Sequence, residues 1–191
     1  MIQENHAGTK IRQLREAAQL SIEALAEKCQ MNPEQINHIE TGQLLPSLSP
    51  LIKIARALGV RLGTFLDDEA NGQTRVLRGG EAESVMRFSG SESPDKSMLD
   101  FYSLAAHKRD RHMEPFLINI HPGQGKAPVL SSHEGEEFIY VLSGVVEIHY
   151  GKESYHLNEG DSIYYDSIVP HEVRAANGVE ARILAVVYAP F

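Results

Sequence analysis

Ser21-Ile22-Glu23-Ala24-Leu25-Ala26-Glu27-Lys28-Cys29-Gln30-Met31-Asn32-Pro33-Glu34-Gln35-Ile36-Asn37-His38-Ile39-Glu40-Thr41-Gly42 reads as two short helices joined by a tight turn. Ser21 is an N-cap type, and Ile22, Leu25, Ala26 and Cys29 follow it at helical spacing. Asn32-Pro33 announces the next helix: Asn as the cap, Pro at the first helical position, and Gln35 at the third, from where it can reach back to the cap. Ile36 and Ile39 are its apolar positions and Gly42 its stop. Working outward, Ile11, Leu14 and Ala18 mark a helix before this pair. A fourth helix runs from about Ser47 to Leu58, with Pro50 in its first turn and Leu51, Ile54, Ala55 and Leu58 as its buried stripe. Gly59 ends it, and Leu62, Phe65 and Leu66 suggest a short fifth helix.

Beyond Leu66 the pattern changes. Asp67-Asp68-Glu69-Ala70-Asn71-Gly72-Gln73 is polar and reads as a linker, and Ser89-Gly90-Ser91-Glu92-Ser93-Pro94 as a loop. Strand-like runs occupy Phe116–His121, Glu137–Leu142, Val145–Tyr150, Ser162–Tyr165 and Arg182–Tyr188, with turns at Ser143-Gly144, Gly151-Lys152 and Asn158-Glu159-Gly160. Closely spaced strands with turn glycines argue a sandwich or small barrel. The expected fold is α + β in two domains: a five-helix bundle over 1–66, a linker over 67–75, and a β domain over 76–191.

The chain has 191 residues, 42% hydrophobic and 23% charged, as in ordinary globular proteins. No apolar run approaches the roughly 20 residues that span a bilayer. Met1–His6 lacks a basic region followed by an apolar core, so no signal peptide is expected, and the single cysteine, Cys29, rules out an intrachain disulfide framework. A cytoplasmic location with no membrane partner is the expectation. The net charge of −8 is unevenly placed. Residues 1–66 hold seven Lys/Arg against six Glu, whereas 67–191 hold eleven basic against twenty acidic residues. Any affinity of the first part for nucleic acid must therefore come from local placement of charge.

Ile11-Arg12-Gln13-Leu14-Arg15-Glu16, Leu25-Ala26-Glu27, Ile36-Asn37-His38-Ile39-Glu40-Thr41-Gly42, Pro46-Ser47-Leu48 and Lys53-Ile54-Ala55-Arg56-Ala57-Leu58-Gly59-Val60 together resemble the Xre/λ-repressor-like helix-turn-helix family over residues 8–66. The resemblance implies that the third helix enters the major groove by its N-terminal part. Its outward candidates are Glu34, Gln35, Asn37 and His38, whose amides, carboxylate and imidazole suit base edges. Arg12, Lys28, Lys53 and Arg61 are candidates for phosphate contacts. The family often has Gln where this chain has Ile22; Ser21 and the helix N-terminus are expected to serve the phosphate there instead. The resemblance also implies that Arg15 and Glu40 form a structural ion pair between the first and third helices.

Gly125, Ser131, His133, Glu137 and Gly144, followed by Gly160, Asp161, Pro170 and His171, resemble the two motifs of the cupin superfamily over roughly residues 110–189. The implied fold is a double-stranded β-helix, or jelly-roll barrel. The motif's first His is replaced by Ser131, which leaves His133, Glu137 and His171 as ligands. Two neutral imidazoles and one carboxylate form the facial set used for non-haem Fe(II), and also for Mn, Ni or Zn. The alternative is a metal-free pocket in which the same side chains hydrogen-bond an anionic or polar effector. Ser131, His133, Glu137, His171, Tyr140 and Phe116 are the expected effector pocket, with Tyr164 and Phe138 as core or pocket wall. The remaining His107, His112, His121, His149 and His156 are expected to be surface or strand-packing residues.

Two readings follow from this pairing. In the first, the chain is a regulator and not an enzyme: a homodimer that binds double-stranded operator DNA and senses a small molecule through the cupin. In the second, it resembles the mononuclear iron epoxidases, which carry the same pair of domains.

Overall fold

The computed structural model describes residues 6–66, 74, 76–82, 84–88, 99–106, 108, 110–123 and 130–190. The loop expected at 89–94, most of the expected linker, His107 and the motif glycine Gly125 lie outside the described residues. Among the described residues five helices come first: α1 (His6–Ala17), α2 (Ile22–Cys29), α3 (Pro33–Glu40), α4 (Leu48–Ala57) and α5 (Gly63–Leu66). Nine strands follow among them: β1 (Ser84–Phe88), β2 (Leu99–Ser103), β3 (Met113–Ile120), β4 (Glu136–Ser143), β5 (Val146–Tyr150), β6 (Glu153–Leu157), β7 (Ser162–Asp166), β8 (His171–Ala175) and β9 (Ala181–Tyr188).

The caps act as their residue types require. The Ser21 hydroxyl accepts the Ala24 N–H at 3.1 Å, and the Asn32 side chain accepts that of Glu34 at 2.9 Å, with Pro33 at the start of α3. Ile11, Leu25, Ile36, Ile39, Leu51 and Ile54 are fully buried at the centre of the bundle, each contributing about 1.5–3 kcal/mol by leaving water. Arg15 forks onto Glu40 with two bonds, of 2.6 and 2.8 Å, and donates a third to the Leu20 carbonyl at 2.9 Å. This bidentate pair, with both side chains withdrawn from solvent, ties α1 to α3.

The strands form a six-stranded sheet in the order β1-β2-β3-β9-β4-β7 and a three-stranded sheet in the order β6-β5-β8. Alternation is clean on the central strands. Phe116, Ile118 and Ile120 of β3, Ile139 and Val141 of β4, and Ile183, Ala185 and Val187 of β9 turn inward and are buried. Gly144 closes the β4–β5 turn at φ +77°; a Cβ there would sit 2.7 Å from the Glu180 carbonyl oxygen. β1, β2, β6 and β8 were not among the strands read from the sequence. β6, Glu153-Ser154-Tyr155-His156-Leu157, is exposed except for Leu157 and shows no apolar alternation.

The bundle docks on the barrel through α4 and α5. Ser49, buried, donates to the Ser132 carbonyl at 2.8 Å. Arg56 pairs with Glu134, and Arg61 lies 3.6 Å from Asp110. Ile52, Ala55 and Leu62 meet Ala189 and Pro190 across a narrow cleft. Gly63 packs against the buried Arg111–Glu114 ion pair, where an added Cβ would come within 2.5 Å of the Arg111 guanidinium.

Candidate functional site

Three chain segments build the centre. His133 precedes β4, Glu137 is the second residue of β4, and His171 opens β8. Gly135 permits the bend between the first two: its φ is +114°, and a Cβ would overlap the Tyr188 carbonyl oxygen. Backbone bonds from His133 N–H to the Ser167 carbonyl (3.0 Å) and from Ser167 N–H to the Gly135 carbonyl (2.9 Å) hold that bend. Ser131 and His171 exchange a pair of backbone bonds of 2.7 and 2.9 Å, which places the residue at the missing-ligand position directly opposite the third ligand.

His133, Glu137 and His171 are buried, with ligand atoms within 4.8 Å of one another. His133 Nε2 lies 2.8 Å and His171 Nε2 3.3 Å from the same oxygen, Glu137 Oε1. His133 Nδ1 faces the Glu134 carbonyl at 3.1 Å and His171 Nδ1 the Val169 carbonyl at 2.8 Å. A carbonyl only accepts, so each Nδ1 carries the hydrogen and each neutral ring turns a bare Nε2 lone pair toward the carboxylate. With both rings neutral neither Nε2 offers Glu137 Oε1 a hydrogen, so the three atoms call for a ring proton or a metal ion, and the donor set fits a divalent metal in the size and chemistry of its ligands.

The carboxylate has its own supports. Tyr165 donates to Glu137 Oε2 at 2.8 Å and Ser167 to Oε1 at 3.2 Å. Burial alone would raise the Glu137 pKa, but hydrogen bonds and positive charge from the two imidazoles, when they carry a proton on Nε2, outweigh burial and hold it below the usual carboxylate range. For His171 burial likewise works against the charged form, yet the Glu137 carboxylate prevails and raises its pKa. Tyr165 is pushed well above the ordinary phenol value, first by burial and then by the Glu137 charge, so it remains a donor. Sequence reasoning missed Tyr165 and Ser167. The signal lay in strand register: Tyr165 is the direct cross-strand partner of Glu137, so it shares the inward face.

Two pocket expectations need correction. Tyr140 alternates out of phase with Glu137 and Ile139 and is exposed on the outer face of β4, as Tyr164 is on β7. Phe116 is fully buried and stacks edge-to-face on Phe101, with ring centres 5.5 Å apart, beneath the cavity rather than in its wall. The outer histidines have acidic neighbours: His121 is 2.9 Å from Asp100, and His149 and His156 are 3.5 and 3.8 Å from Glu147.

Above the triad opens a cavity of about 760 Å³, with Ser131, His133, Glu137 and His171 in its wall. The opposite wall comes from the helical bundle and includes Gln30, Gln35, Ser49 and Lys53. The residues singled out for DNA thus divide. Glu34, Asn37, Arg12 and Lys28 are exposed, and His38 is half-exposed. Arg12 is paired with Glu16 at 2.9 Å, and the Ser21 hydroxyl is engaged as a cap. Gln35 and Lys53 are half-buried along the cavity.

Comparison with known proteins bears on both halves. Residues 11–65 match the family model described as helix-turn-helix, and residues 116–187 match the cupin domain model. The chain thus carries a helix-turn-helix domain followed by a cupin domain. Among its relatives is the HTH-type transcriptional regulator PuuR of Escherichia coli (strain K12), 20% identical over 186 residues that cover 93% of this chain and 92% of that one. Another is the (S)-2-hydroxypropylphosphonic acid epoxidase of Streptomyces wedmorensis, 27% identical over 189 residues, 90% of each chain. Of solved structures, an HTH_3 family transcriptional regulator from Vibrio cholerae superposes with a TM-score of 0.71 at 22% identity, over 98% of this chain and 97% of that one. Fe(II)-HppE with an alternative substrate superposes at 0.52 and 22%, over 96% and 97%. An epoxidase related over nine-tenths of both chains overturns the expectation that this chain is not an enzyme: the same pair of domains also occurs in a catalyst. No helix among the described residues is long and apolar enough to cross a membrane.

Proposed function

We propose that this chain is a homodimeric, cytoplasmic transcriptional regulator that binds operator DNA through α3, and that its cupin cavity takes a small molecule beside a divalent metal held by His133, Glu137 and His171. The observation that carries this reading is the shared cavity, with the triad in one wall and Gln35 of α3 and Lys53 of α4 in the other. A molecule resting on the triad would also touch the helices that carry the DNA-reading surface, so its binding would bias the bundle. Glu34, Asn37 and His38 remain open to a groove. The test is fluorescence anisotropy against the DNA upstream of its own gene at several salt concentrations. Selective, salt-dependent binding that weakens in Asn37→Ala and His38→Ala is expected; equal binding by both variants would sink the assignment of α3.

A second reading has its own support. The buried triad, with bare Nε2 atoms and an adjoining cavity, is a site where a bound iron would supply oxidative chemistry, and the relative of highest identity among those above is an epoxidase. In that reading Tyr165 and Ser167 orient the Glu137 carboxylate, while the surrounding apolar side chains limit water. Metal analysis with oxygen consumption in the presence of small hydroxylated acids tests it. A chain loaded with iron that consumes no oxygen with any of them would remove it.

A further inference from the structure

The six-stranded sheet has an outer face that the helical bundle leaves bare. The strand registers arrange its outward residues in rows. One row reads Pro115, Val186, Phe138, Tyr164, and the next reads Tyr102, Leu117, Leu184, Tyr140, Ser162. The rows beyond them turn polar: Glu136 and Asp166 lie toward one end of the sheet, Asp100, Asn119 and Arg182 toward the other. Met113 and Tyr164 are more than 60% exposed, and Tyr140, Leu142 and Tyr188 about 40%. The bundle is engaged elsewhere, at Ser132, Glu134, Ala189 and Pro190.

We propose that this face is the interface between two copies of the chain. An apolar centre of aromatic and aliphatic side chains within a polar rim is the anatomy of a protein–protein contact. The size agrees. Five strands at about 4.8 Å spacing, each contributing about seven residues at about 3.3 Å, make a face of roughly 24 by 23 Å. With side-chain relief this approaches the ~800 Å² per partner of a standard interface. Both central rows lack charge, so a copy related by a two-fold axis meets the same apolar centre and leaves no charge buried without a partner. From the regulator reading the assignment borrows only the need for two copies.

The test is the mass in solution, by sedimentation equilibrium, of the full chain and of the double variant Tyr140→Lys/Tyr164→Lys. Both positions are exposed within one chain, so far-UV circular dichroism and Zn²⁺ binding should match wild type. By symmetry four ammonium groups enter the contact, and the dimer dissociation constant should rise at least about a hundredfold. If the double variant loses its circular dichroism, Leu142→Lys on the same face takes its place, with the same expected loss of dimer. A monomeric wild type at micromolar concentration, or a folded variant that stays dimeric, overturns the assignment. A dimer indifferent to DNA would remove the regulator reading and leave the interface standing; a monomer that binds a single half-site would do the reverse.

Discussion

Replacing Glu137 by Gln should abolish metal binding while stabilising the metal-free protein at alkaline pH. In the metal-free chain both Nδ1–H groups are committed to carbonyls, so Glu137 Oε1 faces Nε2 of His133 at 2.8 Å and of His171 at 3.3 Å with no hydrogen between them unless a ring is protonated. The raised pKa of His171 supplies that proton at lower pH. A group whose folded pKa is raised stabilises fully below its unfolded value and loses the contribution as pH rises through the folded value. Glu137, whose pKa is lowered, contributes above its unfolded value and fails only in strong acid. The metal-free centre is therefore held from mildly acidic pH up to the raised His171 value, and loosens as pH rises through it.

A carboxamide changes this because its N–H can donate to His133 Nε2 without any bound proton. Leaving one buried acceptor unsatisfied costs about 1–3 kcal/mol, and for a chain of this size each kcal/mol moves Tm by about 2–4 °C. Glu137→Gln should thus melt about 2–12 °C above metal-free wild type at pH 8.5, with a smaller gap at pH 6. Wild type with metal at a hundred times its Kd should gain about 2.7 kcal/mol, or roughly 5–10 °C. The variant should gain nothing. Differential scanning fluorimetry after chelation, with and without Zn²⁺, at both pH values, reads all of these shifts. A Glu137→Gln protein that keeps its metal-induced shift, or a wild type with none at either pH, would refute the argument that the converging acceptors exist to hold a cation.

Other perturbations test the scaffold. Arg15→Met leaves the Glu40 carboxylate buried without its bidentate partner, which should cost about 3–5 kcal/mol in a urea titration of the helical domain; a loss under 1 kcal/mol would mean that water reaches the carboxylate. Gly135→Ala combines an unfavourable φ with overlap on the Tyr188 carbonyl. It should lose metal binding while the isolated signals of the helical domain in NMR spectra persist, and normal metal affinity would show that the bend does not position the ligands. Burial pushes the Cys29 thiol up to about 11, so at pH 8 it stays protonated; thiol reagents should modify it slowly in the native chain and rapidly in denaturant.

Much of this molecule was legible in its residues because the signals were local. Ser21 and Asn32 cap the helices they precede, and the apolar spacing of Ile36 and Ile39 faces the core. What escaped was set by contacts distant in sequence. Ser49 and Ile52 lie off the stripe expected for α4, yet both are buried because the barrel covers that side. Tyr140 alternates with its neighbours and so reads as a pocket residue, but face is decided by parity relative to Glu137, and the two differ by an odd number of positions. The same parity, applied across the β4–β7 pair, promotes Tyr165 over Tyr164. β8 carries His171, whose motif position is clear, but among His171, Glu172, Val173, Arg174 and Ala175 only Val173 is a strong strand former.

Lys53 separates the two roles that one residue can have here. On the sequence it is a phosphate contact, and each such contact contributes about −0.9 to the slope of log K against log salt. In the structure it lies half-buried in the wall of the cavity, on the side of α4 that faces the barrel, and its carbonyl is the acceptor nearest the Cys29 thiol. If the bundle stays docked while DNA is bound, Lys53→Gln should leave the salt slope unchanged and alter only the response to cavity ligands. If DNA binding requires α4 to leave the barrel, breaking the Ser49–Ser132 and Arg56–Glu134 contacts, the slope should fall in magnitude by about 0.9. Arg56→Ala should then tighten DNA binding by favouring the undocked form. A lost slope without tighter binding in Arg56→Ala would mean that Lys53 reaches phosphate from the docked position, and the shared cavity would then be closed by the same side chain that DNA withdraws.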